Sequence, residues 1–130
     1  MKSKSLILIG VLSALPVTAV GQPNANFPAL FWQARRTRLP PNMCASRAQE
    51  TVRSVGLQNQ GQDPTGAGGT TATTRAFITC VPLPRFGPCP GTDGAAVYFV
   101  AASSLSADDA LGVIRQLSDT FGDPILFDCN

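Results

Sequence analysis

Four cysteines, at positions 44, 80, 89 and 129, constrain this chain more than any other feature, because an oxidising compartment would tie them in pairs. The first twenty residues point to such a compartment. Lys2 and Lys4 precede an almost unbroken apolar run from Leu6 to Leu15; Pro16 stops it, and the small residues of PVTAVG follow. This is the tripartite order of a secretory signal. Small side chains are needed at the first and third positions before the cut, so cleavage after Gly21 is expected, with a cut after Ala19 as the second choice. The run falls short of the roughly 20 apolar residues that cross a bilayer, so no stable membrane span is expected. The mature chain is therefore read as secreted or periplasmic, with residues 1–21 removed.

Which cysteines can meet depends on the order of elements. Residues 22–42 read as an arm followed by a possible first strand, Ala29 to Leu39, which Pro40-Pro41-Asn42 stops. Residues 43–130 read as a single α+β domain. Asn42 is expected to N-cap a helix whose apolar stripe is Cys44, Ala48, Val52 and Val55, with Arg47, Glu50 and Arg53 on the wet face and Gly56 as its stop. Residues 58–73 (QNQGQDPTGAGGTTAT) carry almost no large apolar side chain and read as a flexible Gly-rich surface loop. The TGAGGT run lacks the lysine of a phosphate-binding loop.

Thr74 to Val81 alternates as a strand, with Ala76, Ile78 and Cys80 on one face and Arg75, Phe77, Thr79 and Val81 on the other. Ala95 to Ala102 is a continuous apolar run, as in a central strand. Ser106 and Asp109 open a second helix with the buried stripe Ala110, Ile114, Leu117 and Phe121, and Ile125 to Cys129 can form a last strand. The order (β)αββα(β) predicts a ferredoxin-like sandwich, one small antiparallel sheet with two helices on one face. In that layout Cys44, Cys80 and Cys89 share one end of the sheet and Cys129 lies at the other. The expected bridge is Cys80–Cys89, with Cys44 meeting Cys129 through a displaced tail. Its main rival is Cys44–Cys80, because both residues sit on apolar faces that meet.

The chemistry is bounded by what is missing. With no histidine, the chain has no Ser-His-Asp or Cys-His catalysis and no imidazole metal site. Phe86-Gly87-Pro88-Cys89 has Phe where the CGPC motif of thioredoxin-like proteins has its nucleophile. Met43-Cys44 at a helix start loosely resembles the M-x-C-x-x-C loop of heavy-metal-associated domains, but Arg47 stands where the second thiolate belongs. No pair of acids faces a cleft, and no cofactor is expected. Once the two signal lysines are gone, eight arginines balance eight acids, so a general attraction to nucleic acid has no basis.

The leading reading is a small exported, non-enzymatic binding or accessory protein. The alternative is a thiol or soft-metal protein using Cys44 with Cys80 or Cys89. If Ala76, Ile78 and Cys80 face the helices, Arg75 and Phe77 are left on the open face of the sheet, bordered by Arg35, Arg36 and Arg38. These five residues are the candidate binding face, and an acidic protein or other anionic ligand is the partner they suit. Trp32, beside Phe31, is expected in the core, with an arm carrying both that docks on a partner as the alternative.

Overall fold

The computed structural model describes residues 29–124 together with Cys129. The expected signal and arm, and most of the expected last strand, lie outside the described residues. In chain order the elements are β1 (Ala29–Thr37), α1 (Pro41–Val55), β2 (Gln58–Asp63), β3 (Gly66–Thr70), β4 (Thr74–Leu83), β5 (Gly94–Ser103) and α2 (Ala107–Phe121). The strands form one antiparallel sheet in the order β1-β5-β4-β3-β2. Both helices pack on the same face and against each other.

The fold is thus α+β, with two helices on one side of an antiparallel sheet, but the five-strand order is not that of the four-stranded ferredoxin-like sandwich. What departs is the segment 58–73, expected as a flexible loop: it is largely the hairpin β2–β3, which widens the sheet beyond β4. Its two-residue turn, Pro64-Thr65, is held by Asp63, whose Oδ1 accepts from Thr65 N (2.7 Å), Thr65 Oγ1 (2.6 Å) and Gly66 N (3.0 Å). Those bonds, Thr65's first, hold the Asp63 carboxyl below its ordinary pKa. Glycine is required here. A Cβ on Gly68 would meet the Ala76 carbonyl oxygen at 2.6 Å and Phe77 Cβ at 2.8 Å. β3 pairs so closely with β4 because it has almost no side chains to keep it away.

The core lies between sheet and helices. Ala76, Ile78 and Cys80 from β4 and Ala95, Val97, Phe99 and Ala101 from β5 meet Cys44, Ala48 and Val52 of α1 and Ala110, Ile114, Leu117 and Phe121 of α2. Phe99 and Phe121 pack edge to face with centroids 5.6 Å apart. The stripes expected for both helices are the buried ones, with Val55 only partly covered.

The start of α1 differs from expectation. Pro40 occupies the N-cap position and Pro41 the first turn, where a missing N–H costs nothing; Asn42 lies inside the helix. Gly56, at φ +82°, closes it with a left-handed cap. Ser106 caps α2 by accepting from Asp109 N at 3.1 Å. Asp109 does not return that bond. Its Oδ2 accepts from Thr73 Oγ1 (2.6 Å), Thr74 Oγ1 (2.5 Å) and Ser103 Oγ (2.7 Å), which ties the start of α2 to β4 and β5. These three hydroxyls, Thr73's first, hold its carboxyl below the usual range.

The disulfides are Cys44–Cys80 and Cys89–Cys129, so the expected Cys80–Cys89 and Cys44–Cys129 pairs are both replaced by the rival arrangement. Helix α1 lies directly over β4, which brings two buried sulfurs together. The long turn after β4 carries Cys89 outward, where it meets Cys129. Two disulfides fit an oxidising compartment, and no helix among the described residues is long and apolar enough to cross a membrane.

Candidate functional site

Antiparallel pairing places partners on the same face, so the ladders define the side of the sheet that neither α1 nor α2 covers, the two helices among the described residues. Arg75, Phe77, Thr79 and Val81 of β4 lie there with Ala102, Val100, Tyr98 and Ala96 of β5. β1 adds Leu30, Trp32, Ala34 and Arg36, and β3 adds Thr70, Gly68 and Gly66. This side is apolar and wet at once. Trp32 is 65% exposed, Leu30 62%, Val81 46% and Phe77 45%. The rings of Trp32 and Tyr98 sit 6.2 Å apart at a tilt. Trp32 therefore belongs to the surface rather than the core, and only its neighbour Phe31 packs against the buried cluster.

Beside Phe77 the surface is concave. A site of about 440 Å³ lies over Gly61, Gly68 and Gly69, rimmed by Asn59, Thr70 and Arg75. A second, of about 240 Å³, touches the same ring on the side of Thr65 and Thr79. Asn59 has a positive φ of 51°, and its Nδ2 donates to Thr70 Oγ1 at 3.0 Å. Arg75 has no carboxylate within 4.0 Å among the described residues, where the one ion pair is Arg47–Glu50 at 3.3 Å.

The structure keeps part of the expected binding face and divides the rest. Arg75 and Phe77 are exposed neighbours on the open side, as alternation along β4 requires. The Arg35–Arg38 group does not act as one. Arg35 points under the sheet, where its Nη2 donates to Ser118 O (3.0 Å) and Gly122 O (2.7 Å) and its guanidinium lies over Phe99 and Phe121. It is a structural cap on the negative end of α2. Arg47, expected on the wet face of α1, does the same, donating to Phe121 O at 2.9 Å and Thr120 O at 3.3 Å. Arg36 and Arg38 stack on Phe86, with centroid distances of 4.9 and 4.5 Å, and Arg38 also donates to Gly87 O. Of the cluster, Arg36 lies on the open face and Arg38 continues its edge.

Sequence reasoning placed Trp32 first in the core and missed Tyr98 and the glycine floor. The signal for the floor was the turn signature Asp63-Pro64-Thr65-Gly66 between two stretches of like length. The sulfurs of Cys44 and Cys80 are bonded to each other, as are those of Cys89 and Cys129, so in this state none offers a thiolate. Among the described residues no cluster of three His, Cys, Asp or Glu side chains could hold a metal ion. Set against protein-family models, curated proteins and solved structures, the chain finds no match in any of the three.

Proposed function

We propose that this is a small exported binding or accessory protein, without enzymatic activity, that holds an anionic partner on the open face of its sheet. The observation that carries this reading is the exposed pair Arg75 and Phe77, on a face shared with Trp32 and Arg36 that no helix among the described residues covers. Large apolar side chains left in water beside unpaired guanidinium groups suit a partner that offers both a flat apolar surface and negative charge. Among the described residues the one acid at the rim, Asp63, has Oδ1 engaged in the hairpin turn. The disulfides support an exported protein, since they lock the domain where reductants are scarce.

The attraction is between exposed charges, so it must depend on salt. Raising salt from about 0.01 M to about 0.15 M shortens the Debye length from roughly 30 Å to roughly 8 Å. Binding of the full chain to immobilised polygalacturonate, polyglutamate and polyphosphate is measured at both salt levels, for the native chain and for Arg75→Ala. Binding to at least one polyanion that weakens with salt and with the substitution is expected. Indifference to both, or no binding to any, ends the proposal.

A further inference from the structure

The open face has an internal order that general attraction to anions does not need. One row of side chains crosses all five strands: Trp32 on β1, Val100 on β5, Phe77 on β4, Gly68 on β3 and Gly61 on β2. Trp32 and Phe77 are two strands apart, roughly 10 Å by ordinary strand spacing. Past Phe77 the row loses its side chains, and the bare backbone of Gly68 and Gly61 forms the floor of the concave site. The row thus offers a ring, an aliphatic spacer, a second ring and then a trough. We infer that this row is a binding track for an acidic polysaccharide, whose sugar rings stack on Trp32 and Phe77 and whose next unit lies in the glycine trough with a carboxylate toward Arg75.

The inference rests on the open-face reading above and narrows its partner. A pyranose ring has an apolar C–H face and an edge of hydroxyls, so it needs an aromatic wall flanked by groups that both donate and accept. The trough has the Phe77 ring as its wall, with the Asn59 amide and the Thr70 hydroxyl on its rim. Asn59 is already oriented by its bond to Thr70, whose own hydroxyl donates to Gln58 O at 3.3 Å; the Asn59 Oδ1 is left as the acceptor toward the trough. In an extended chain one sugar unit takes up about one strand spacing, so Trp32 and Phe77 would meet alternate units. An extended peptide repeats its side chains on one face every two residues, roughly 6.7 Å, and does not match that interval. Nor does the face offer the closely spaced cations that a nucleic-acid backbone requires. Arg75 and Arg36 lie on different strands, near opposite ends of the face. One cation beside one trough suits a single carboxylate.

The discriminating substitution is Gly61→Leu. A Cβ at this position has nothing within 4 Å, so the backbone accepts a side chain there, and leucine occupies the trough without changing any charge. Binding of the full chain to polygalacturonate is compared with polyglutamate, polyphosphate and single-stranded oligo-dT by calorimetry at low salt. Polygalacturonate should bind at least roughly tenfold more tightly than the other three. Trp32→Ala, Phe77→Ala and Gly61→Leu should each weaken it by roughly tenfold, the worth of one stacking contact. If polyglutamate, polyphosphate or oligo-dT binds equally well, the anionic face stands and the polysaccharide track falls. A Gly61→Leu protein that binds like the native chain also removes the track. If no polyanion binds at all, both readings fail together.

Discussion

Reductant applied to the folded protein should open the two disulfides in a fixed order, Cys89–Cys129 first. Thiol–disulfide exchange needs a thiolate to reach a sulfur atom, so burial controls the rate. Cys44 is 0% and Cys80 3% exposed, sealed between α1 and β4, whereas Cys129 is exposed and Cys89 half-buried. The inner bridge becomes accessible only when α1 leaves the sheet. If that opening costs even about 5 kcal/mol, reduction is slowed by nearly four orders of magnitude. Loop closure does not separate the two bridges. Sequence separations of 36 and 40 correspond to about 4 kcal/mol each, and the loops do not overlap along the chain. Opening the outer bridge therefore lowers stability by up to about 4 kcal/mol and shortens the protection of the inner one. Timed alkylation with peptide mapping should show an intermediate with only Cys89 and Cys129 labelled. Urea unfolding of the Cys89→Ser/Cys129→Ser protein gives the stability term. Simultaneous opening of both bridges in the native state, or an intermediate with Cys44 and Cys80 labelled first, would refute the reasoning.

Three further outcomes are expected. Arg35→Ala should destabilise the domain by about 2 kcal/mol in urea unfolding, because two carbonyls at the end of α2 lose a charged donor; Arg36→Ala, exposed on the other face, should leave the midpoint nearly unchanged. Gly68→Ala should disrupt the β3–β4 pairing through its clash with the Ala76 carbonyl, while Gly61→Ala should fold as the native chain does, which thermal melts and amide exchange will separate. Asp109 has a depressed pKa in the folded state, so its contribution is present above the ordinary carboxylate pKa of 3.8 and is lost as pH falls through the lower folded value. Melting temperatures followed downward from neutral pH should therefore drop below about pH 4, and Asp109→Asn should flatten part of that drop.

What could be read in advance followed from side chains that need burial. The stripes of α1 and α2 and the alternation of β4 were legible because large apolar residues recur at helical or strand spacing, and the same alternation placed Arg75 and Phe77 on the open face. The hairpin β2–β3 was not legible, because Gly66, Gly68 and Gly69 enter the sheet by backbone approach and bury nothing that a hydrophobic pattern could report. On β1, alternation puts Arg35 and Arg36 on opposite faces, which separates a cluster that looks continuous in sequence. Trp32 misled for a related reason: hydrophobicity marks a residue for burial, and only the register with Val100 shows that it lies on the face opposite α1 and α2. The disulfide expectation assumed that the turn after β4 closes locally on Cys80, with a displaced tail bringing Cys129 to Cys44. The pairing instead follows from α1 lying over β4.

The position of β1 has a consequence for how the chain reaches its fold. β1 pairs along its whole length with β5, so Ala29 finds Ser103 and Thr37 finds Ala95 across α1 and three intervening strands. The remaining pairs, β2–β3, β3–β4 and β4–β5, join neighbours in sequence. Contacts of short separation close early, and those of long separation wait for the chain between them to be ordered. During synthesis β1 emerges well before its partner β5, so Leu30, Phe31 and Trp32 stay without that partner in the interval. Two of those three, Leu30 and Trp32, remain exposed in the finished fold. The segment that waits longest for a partner within the chain is thus the one with most apolar surface still to offer outside it.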